Sequence, residues 1–194
     1  MKKNIFTAVF ALIVGTTAVS ATVNPIDGDK KQIKTSESKV TWKAYKVTGS
    51  HEGLIDLKEG ALMFKEDKLT GGDFVVDMTS INTTDLTGGG KEKFEGHLHS
   101  DDFFATAKHD TATLVFTDVK STGKNSYTVT ADLTIKGITK PIDLDVSVYG
   151  SKATATMKVD RTKYDIKYGS GSFFDGLGDK AIYDEFDLVV DLQF

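Results

Sequence analysis

The chain has 194 residues, carries a formal net charge of −4 at pH 7 and contains no cysteine. Its length predicts one domain, and its acidic balance argues against a nucleic-acid partner. The absence of cysteine excludes disulfides, thiolate metal ligands and a lipid-modified cysteine.

Residues 1–21 have the organisation of a secretory signal peptide. A basic pair, Lys2 and Lys3, precedes an apolar run from about Ile5 to Val14, and small residues surround Ala21. The apolar run is shorter than the ~20 residues that a membrane-spanning helix needs. We therefore expect an exported protein without a stable membrane anchor, cleaved after Ala21 or one residue earlier.

Residues 22–37 are polar with little periodicity and are predicted to form a flexible lead. From Val40 onward a period of two dominates, and it is clearest from Tyr127 to Ile135, where every second side chain is apolar. Such alternation is typical of antiparallel strands with one buried face. It predicts strands in KVTWKAYKV, GALMFK, GGDFVVDMTSI, TATLVFTDV, SYTVTADLTIK, PIDLDVSVY, KATATMKVDR and EFDLVVDLQF. These are about eight strands bounded by turns, including a tight turn at Gly137, as in a sandwich or a barrel.

A barrel satisfies this pattern best, because closing the sheet buries its apolar face and removes both edges. An eight-stranded barrel is filled by side chains or holds one small ligand. Several inward-facing residues are small and favour a cavity. They are Ala44, Gly72, Ala112, Ala131, Ala153 and Ala155. The alternative is that large inward residues, such as Trp42 and Phe116, fill the space.

Two long segments break the alternation, residues 82–108 and residues 167–184. The first is predicted to contain a short helix from about Lys91 to Leu98, after which Ser100 caps a further turn. Long loops in a compact β protein are commonly lids or binding loops. Each segment contains a pair of phenylalanines, which predicts that both segments fold over the apolar interior. The pairs are Phe103 with Phe104 and Phe173 with Phe174.

The stretch GHLHSDDFF, residues 96–104, is the densest in reactive side chains. His97 and His99, with Asp101 or His51, offer nitrogen and oxygen ligands that zinc accepts. On a helix, however, residues two apart point roughly 200° away from each other. A serine hydrolase is disfavoured as well, because GSGSFF lacks the G-x-S-x-G spacing of a nucleophile elbow. We favour a structural role, and a metal-binding protein or metal-dependent enzyme using His97, His99 and Asp101 is the alternative.

Arg161 is the only arginine of the chain, and its strand phase continues the apolar face of residues 153–159. A charge on an apolar face must be paired or lie at the rim. Two roles are open. One is a structural ion pair with Asp73, Asp77 or Asp165. The other is contact with the polar head of a ligand at the cavity mouth, for which a planar guanidinium is suited.

Several segments, in this order, resemble the YceI-like family of lipid- or polyisoprenoid-binding proteins. They are VTWKAYKVTGSHEG, LTGGDFVVDMTSI, GHLHSDDFF, DLTIKGITKPI and DRTKYDIKYGSGSFF. The resemblance runs from about Ser38 to Phe194 and includes a G-H-L-x-S-x-D-F-F pattern from Gly96 to Phe104. It implies a lipocalin-like barrel over residues 38–194, a periplasmic or secreted location and no catalytic residues. It also implies an apolar tunnel for a long amphipathic chain, such as a polyisoprenoid, an isoprenoid quinone or a fatty-acid derivative.

We therefore expect an all-β protein, an eight-stranded antiparallel lipocalin-like β-barrel with a short helical segment near residues 90–104. It is predicted to be a non-enzymatic lipid carrier or sequestering protein that needs no cofactor and no metal. The predicted apolar lining is Trp42, Phe74, Met78, Phe116, Leu133, Val146, Met157 and Leu188. The predicted contacts of a polar head are His51, His97, Arg161 and Tyr168. A filled barrel that binds another protein is a third reading, and a homodimer is left open.

Overall fold

A computed structural model describes residues 28–194, which form nine β-strands, one α-helix and three short 3-10 helices. The strands are β1 (Asp29–Gln32), β2 (Lys39–Lys46), β3 (Gly49–Lys65), β4 (Lys68–Thr83), β5 (Thr111–Ser121), β6 (Ser126–Ile135), β7 (Ile138–Tyr149), β8 (Lys152–Asp160) and β9 (Ile182–Gln193). The helix α1 is Gly88–His99, and the 3-10 helices are Thr35–Glu37, Arg161–Tyr164 and Gly178–Lys180. The predicted signal peptide and residues 22–27 of the predicted lead lie outside the described residues.

Strands β2 to β9 close into an eight-stranded antiparallel barrel. From β3 to β9 each strand pairs with the next strand along the chain, and β2 pairs with both β3 and β9. The predicted fold class is confirmed. Within residues 28–194, no helix combines the length and the apolar character needed to cross a membrane.

The prediction of a flexible lead is wrong from Asp29 onward. Strand β1 pairs with the second half of β3, with Asp29 opposite Phe64 and Gln32 opposite Ala61. Ile33, the next residue, is buried, and its N–H donates to the carbonyl of Gly60 at 2.9 Å. All four side chains of β1 are exposed, so the strand has no apolar alternation that a sequence pattern could reveal.

The buried faces of the barrel strands follow the predicted alternation. Every second residue is buried along β6 and β8. The predicted turn at Gly137 is also confirmed, since Lys136 and Gly137 have φ of 52° and 73°. Two consecutive residues with positive φ are what the type I′ turn of a two-residue hairpin requires.

Helix α1 begins at Gly88, earlier than the predicted Lys91. The predicted role of Ser100 is wrong, because its hydroxyl donates to the carbonyl of His97 at 2.7 Å and so closes the end of α1. The carboxylate of Glu95 accepts the backbone N–H of Thr83 at 2.6 Å, which ties the helix to the end of β4.

The barrel interior divides along its axis into a closed half and an open half. The closed half lies towards the β3–β4 hairpin, where the rings of Phe74 and Phe116 are 5.7 Å apart. A Cβ added at Gly72 would lie 2.8 Å from the ring of Phe116, so this glycine leaves the space that the ring occupies. Phe64 and Phe194 pack with ring centroids 5.6 Å apart in the same half. These rings occupy the space that the small inward residues of this half leave.

Small inward residues do not by themselves mark the open space. Only Ala44 and Ala112 of the six predicted positions line the cavity described below. The other four lie in the closed half: Gly72, Ala131, Ala153 and Ala155. The reason is compensation across strands, since Ala131 is paired with Phe116.

Ala155 provides a test of the closed half. It is 7% exposed and pairs with Val146 and Val190 on the neighbouring strands. The substitution Ala155→Phe adds a ring to packed atoms, so we expect the free energy of unfolding to fall by about 1–3 kcal/mol. Denaturant unfolding of lipid-free protein measures it, with Thr156→Phe on the outer face as the matched control, expected within about 0.5 kcal/mol of wild type. Equal stability of both variants would show that the closed half contains room.

Candidate functional site

The open half of the barrel encloses a cavity of about 440 Å³, within the ~300–1,000 Å³ of ligand pockets. Its walls are inward residues of the strands, and α1 and residues 161–181 cover it. The apolar lining is Val40, Trp42, Ala44, Ile55, Val76, Met78, Ile81, Phe94, Leu98, Phe103, Phe104, Ala112, Leu133, Ile135, Ile182, Phe186 and Leu188. The polar lining is Tyr45, Lys46, His51, His97, Arg161, Asp179, Lys180 and Tyr183. Asp179, Lys180 and Tyr183 are exposed, so the cavity reaches solvent on this side.

The structure places half of the predicted apolar lining around the cavity. These residues are Trp42, Met78, Leu133 and Leu188. The other predicted residues do not line it: Phe74, Phe116, Val146 and Met157. All four point inward, but periodicity shows only which face a side chain occupies and not how far along the barrel axis it lies.

Several lining residues were missed by the sequence reasoning. Val76 and Phe186 lie on strand faces whose alternation does predict them as inward. Phe94 and Leu98 are four residues apart on α1 and so share one helix face, which turns towards the cavity. Their spacing is visible in the sequence, but it predicts contact with the cavity only once the position of the helix over the barrel is known.

Trp42 links the wall of the cavity to its cover. Its ring lies against the backbone of Gly53, where an added Cβ would be 2.5 Å from the ring. Its indole N–H donates to the carbonyl of Leu54 at 3.2 Å. The ring centroid is 6.5 Å from that of Phe94 on α1. A side chain at position 53 would collide with the carbonyl of Asn82 on β4 and with the indole, so both would have to move.

His51 is held by a network of hydrogen bonds at the polar end of the cavity. Its Nδ1 lies 2.8 Å from a carboxylate oxygen of Asp85, and its ring centroid is 4.5 Å from that of Phe94. The other carboxylate oxygen of Asp85 accepts from the hydroxyl of Thr83 and from the backbone N–H of Glu52. Partial burial would raise the pKa of Asp85, but the hydrogen bonds from Thr83, His51 and Glu52 outweigh burial and hold that pKa below its ordinary value.

His97 lies between aromatic rings. Its centroid is 4.9 Å from Phe103 and 4.4 Å from Tyr168, both edge to face. Its Nε2 is 3.5 Å from a carboxylate oxygen of Asp102. Tyr168, predicted to contact a polar head, does not line the cavity and is 47% exposed, so it packs against His97 from outside.

Arg161 is 4% exposed, and protein carbonyls satisfy its guanidinium. It donates to the carbonyls of Tyr183, Ile166 and Ile182 at 3.0, 2.8 and 3.0 Å. The nearest carboxylate is Asp184, 3.6 Å away. Burial lowers the pKa of Arg161, and the charge of Asp184 opposes this effect. The guanidinium thus holds the segment between β8 and β9 against the barrel.

The acidic partners predicted for Arg161 are wrong. Asp73 pairs with Lys30, Asp77 accepts from Thr79, and Asp165 pairs with Lys167. Strand phase correctly predicts an inward Arg161, but its partners are the carbonyls of Ile166, in the segment after β8, and of Ile182 and Tyr183, at the start of β9. The sequence pattern does not show that the chain returns to Arg161 there.

The structure does not bring together His97, His99 and Asp101, the residues of the alternative metal site. Nδ1 of His99 is 3.0 Å from the hydroxyl of Thr106, and Asp101 pairs with Lys108 at 2.7 Å. His97 faces Asp102 instead. Among residues 28–194, no three histidine, aspartate or glutamate side chains form a group able to hold a metal ion.

The two phenylalanine pairs differ in position. Phe103 and Phe104 line the cavity, as expected. Phe173 and Phe174 are 50% and 51% exposed and do not line it. The second segment does cover the cavity, through Asp179 and Lys180, so the prediction that both segments fold over the interior is wrong for its phenylalanine pair and not for the segment. The backbone N–H groups of Phe173 and Phe174 bond to the carbonyl of Ser170, and this turn directs the pair to the surface.

Comparison with known proteins identifies related sequences. A description of the YceI-like domain matches residues 31–194. A UPF0312 protein of Ectopseudomonas mendocina is 38% identical over 71 residues, which are 37% of this chain and 37% of that relative. Protein YceI of Escherichia coli O157:H7 is 41% identical over 71 residues, 37% of this chain and 36% of that protein. The aligned part therefore spans little more than a third of these relatives.

Solved structures share the fold over a larger part of the chain. BcnA of Burkholderia cenocepacia has a TM-score of 0.66 at 21% identity, covering 82% of this chain and 98% of BcnA. A polyisoprenoid binding domain from Saccharophagus degradans, implicated in plant cell wall breakdown, has a TM-score of 0.60 at 16% identity, covering 83% and 95%. These likenesses show a common barrel.

Replacing the guanidinium tests whether Arg161 is structural. In Arg161→Met three carbonyls lose their donors, and we expect the free energy of unfolding to fall by about 3 kcal/mol or more. Thermal and denaturant unfolding measure this loss, and the exposed Lys163→Met is the matched control, expected within about 0.5 kcal/mol of wild type. An unchanged stability of Arg161→Met together with weaker lipid binding would assign Arg161 to the ligand instead.

Proposed function

The chain belongs to the YceI-like family, and from this premise we propose that it is an exported, non-enzymatic protein that binds one amphipathic lipid. The observation that carries the proposal is the cavity of about 440 Å³ with an almost wholly apolar wall in the open half of the barrel. Its ligand would be a polyisoprenoid, an isoprenoid quinone or a fatty-acid derivative, held for transport, storage or sequestration.

The composition of the wall supports an apolar chain as the ligand. Transfer of apolar surface out of water contributes about 25 cal/mol per Å². The apolar part of such a cavity offers ordered water no hydrogen-bond partners and binds apolar molecules readily. An acyl or isoprenoid chain gains this contribution along its whole length inside the barrel.

The placement of the polar lining supports an amphipathic ligand. Lys46, His51 and Tyr183 lie where β2, β3 and β9 meet the covering segments, and Asp179 and Lys180 lie on one of those segments. A polar head would occupy this end, with the chain directed towards the closed half. Along β2 the cavity runs from Val40 to Lys46, about 20 Å of extended strand. A longer chain would fold back or project from the mouth.

The related structures and the leader sequence support the ligand class and the location. The domain from Saccharophagus degradans is a polyisoprenoid binding domain, and we extend that ligand class to this chain. The signal-peptide pattern of residues 1–21 supports a periplasmic or secreted protein, where an apolar ligand has to cross water and a carrier shields it.

Ala112→Phe tests the cavity as the lipid site. Ala112 lines the cavity, so a phenyl ring there occupies ligand volume rather than packed atoms. We expect affinity for isoprenoid and acyl ligands to fall about tenfold or more, which requires a loss of only about 1.4 kcal/mol of contact. Calorimetry on delipidated protein measures this, and wild type should bind one lipid per chain.

The matched variant is Ala155→Phe, whose ring enters the closed half. It is expected to lose stability while retaining affinity under conditions where it is folded. No binding of any long-chain ligand by delipidated wild-type protein would contradict the proposed function. Equal affinity of Ala112→Phe and wild type would place the lipid elsewhere.

A further inference from the structure

We propose that the His51–Asp85 pair is a hydrogen-bonding site for the hydroxyl head of a long-chain alcohol. The assignment rests on the proposed function, because the apolar chain of the ligand lies in the cavity that His51 lines. It adds the chemical class of the head group, an isoprenoid or fatty alcohol.

The ring of His51 is fixed in place rather than free to turn. Its Nδ1 lies 2.8 Å from Asp85, and Phe94 packs against its face at 4.5 Å. Asp85 is itself held by Thr83, whose side chain is fully buried, and by the backbone N–H of Glu52. Because Thr83 and Glu52 hold one carboxylate oxygen and His51 bonds to the other, the orientation of the imidazole at the cavity wall is defined.

The orientation of the ring determines which polar group it can receive. A carboxylate only accepts hydrogen bonds, so Nδ1 carries the hydrogen and Nε2 of the neutral ring is an acceptor. The hydrogen bonds of His51 within residues 28–194 involve Nδ1 only. A hydroxyl can donate to Nε2, and it can also accept from a protonated ring. A quinone carbonyl, an ester or an ether cannot donate to the neutral ring.

Three other polar side chains of the cavity wall already have partners. The hydroxyl of Tyr45 donates to Asp187 at 2.6 Å. Arg161 donates to three carbonyls, and Nε2 of His97 faces Asp102. Lys46 and Lys180 also line the cavity and would favour an anionic head, so a carboxylate ligand is the competing outcome that the test must separate.

The test compares farnesol, its methyl ether and farnesoic acid, which share one isoprenoid chain. Calorimetry is carried out on delipidated protein, with the three compounds at the same mildly alkaline pH. Wild type is expected to bind farnesol about five- to tenfold more tightly than the ether. In His51→Phe, which retains an aromatic ring beside Phe94, we expect this preference to fall below about twofold with the affinity for the ether unchanged.

His109→Phe is the matched control. It makes the same change at a histidine that does not line the cavity, so the preference for the alcohol should persist. Equal binding of alcohol and ether by wild type overturns the assignment, and this comparison needs no variant. Tightest binding of the acid, abolished by Lys46→Met, overturns it in favour of an anionic head. Failure of wild type to bind any of the three compounds overturns the proposed function as well.

Discussion

The pairing of β2 with β9 is the interaction on which the rest of the structure depends. It joins the beginning and the end of the barrel, from Lys39 opposite Asp191 to Lys46 opposite Ile182. Without it the sheet would be open, its apolar face would be exposed and two edges would be unpaired. The same seam builds the cavity wall, because Trp42 faces Leu188 and Ala44 faces Phe186 across it. The backbone hydrogen bonds between β2 and β9 therefore both close the barrel and form part of the cavity wall.

A barrel with a large apolar cavity needs stability from elsewhere, and the closed half supplies it. There the rings of Phe74 and Phe116 pack over Gly72. The open half is held by the segments that cover it. Trp42 packs against Phe94 of α1, and the guanidinium of Arg161 donates to the carbonyl of Ile166 in the β8–β9 segment. This division lets one end remain open to a ligand while the other resists unfolding.

The sequence predicts the strands well because alternation records which face of each strand is buried. It does not predict β1, whose side chains are all exposed and whose pairing uses only backbone groups. Nor does it separate Trp42, which lines the cavity, from Phe116, which closes the other half, because depth along the barrel depends on cross-strand register. The contacts of Arg161 with Ile166 and with the start of β9, like the outward turn of Phe173, depend on the course of the β8–β9 segment, which has no periodic signal.

The most direct test of a lipid site confined to one half of the barrel is methyl NMR of alanine-labelled protein, titrated with a long-chain isoprenoid. Ala44 and Ala112 line the cavity, whereas Ala153 and Ala155 lie in the closed half. We predict that lipid changes the methyl resonances of the first pair strongly and leaves those of the second pair nearly unchanged. Equal changes at all four methyl groups, or changes confined to Ala153 and Ala155, would contradict the division of the interior and the placement of the lipid.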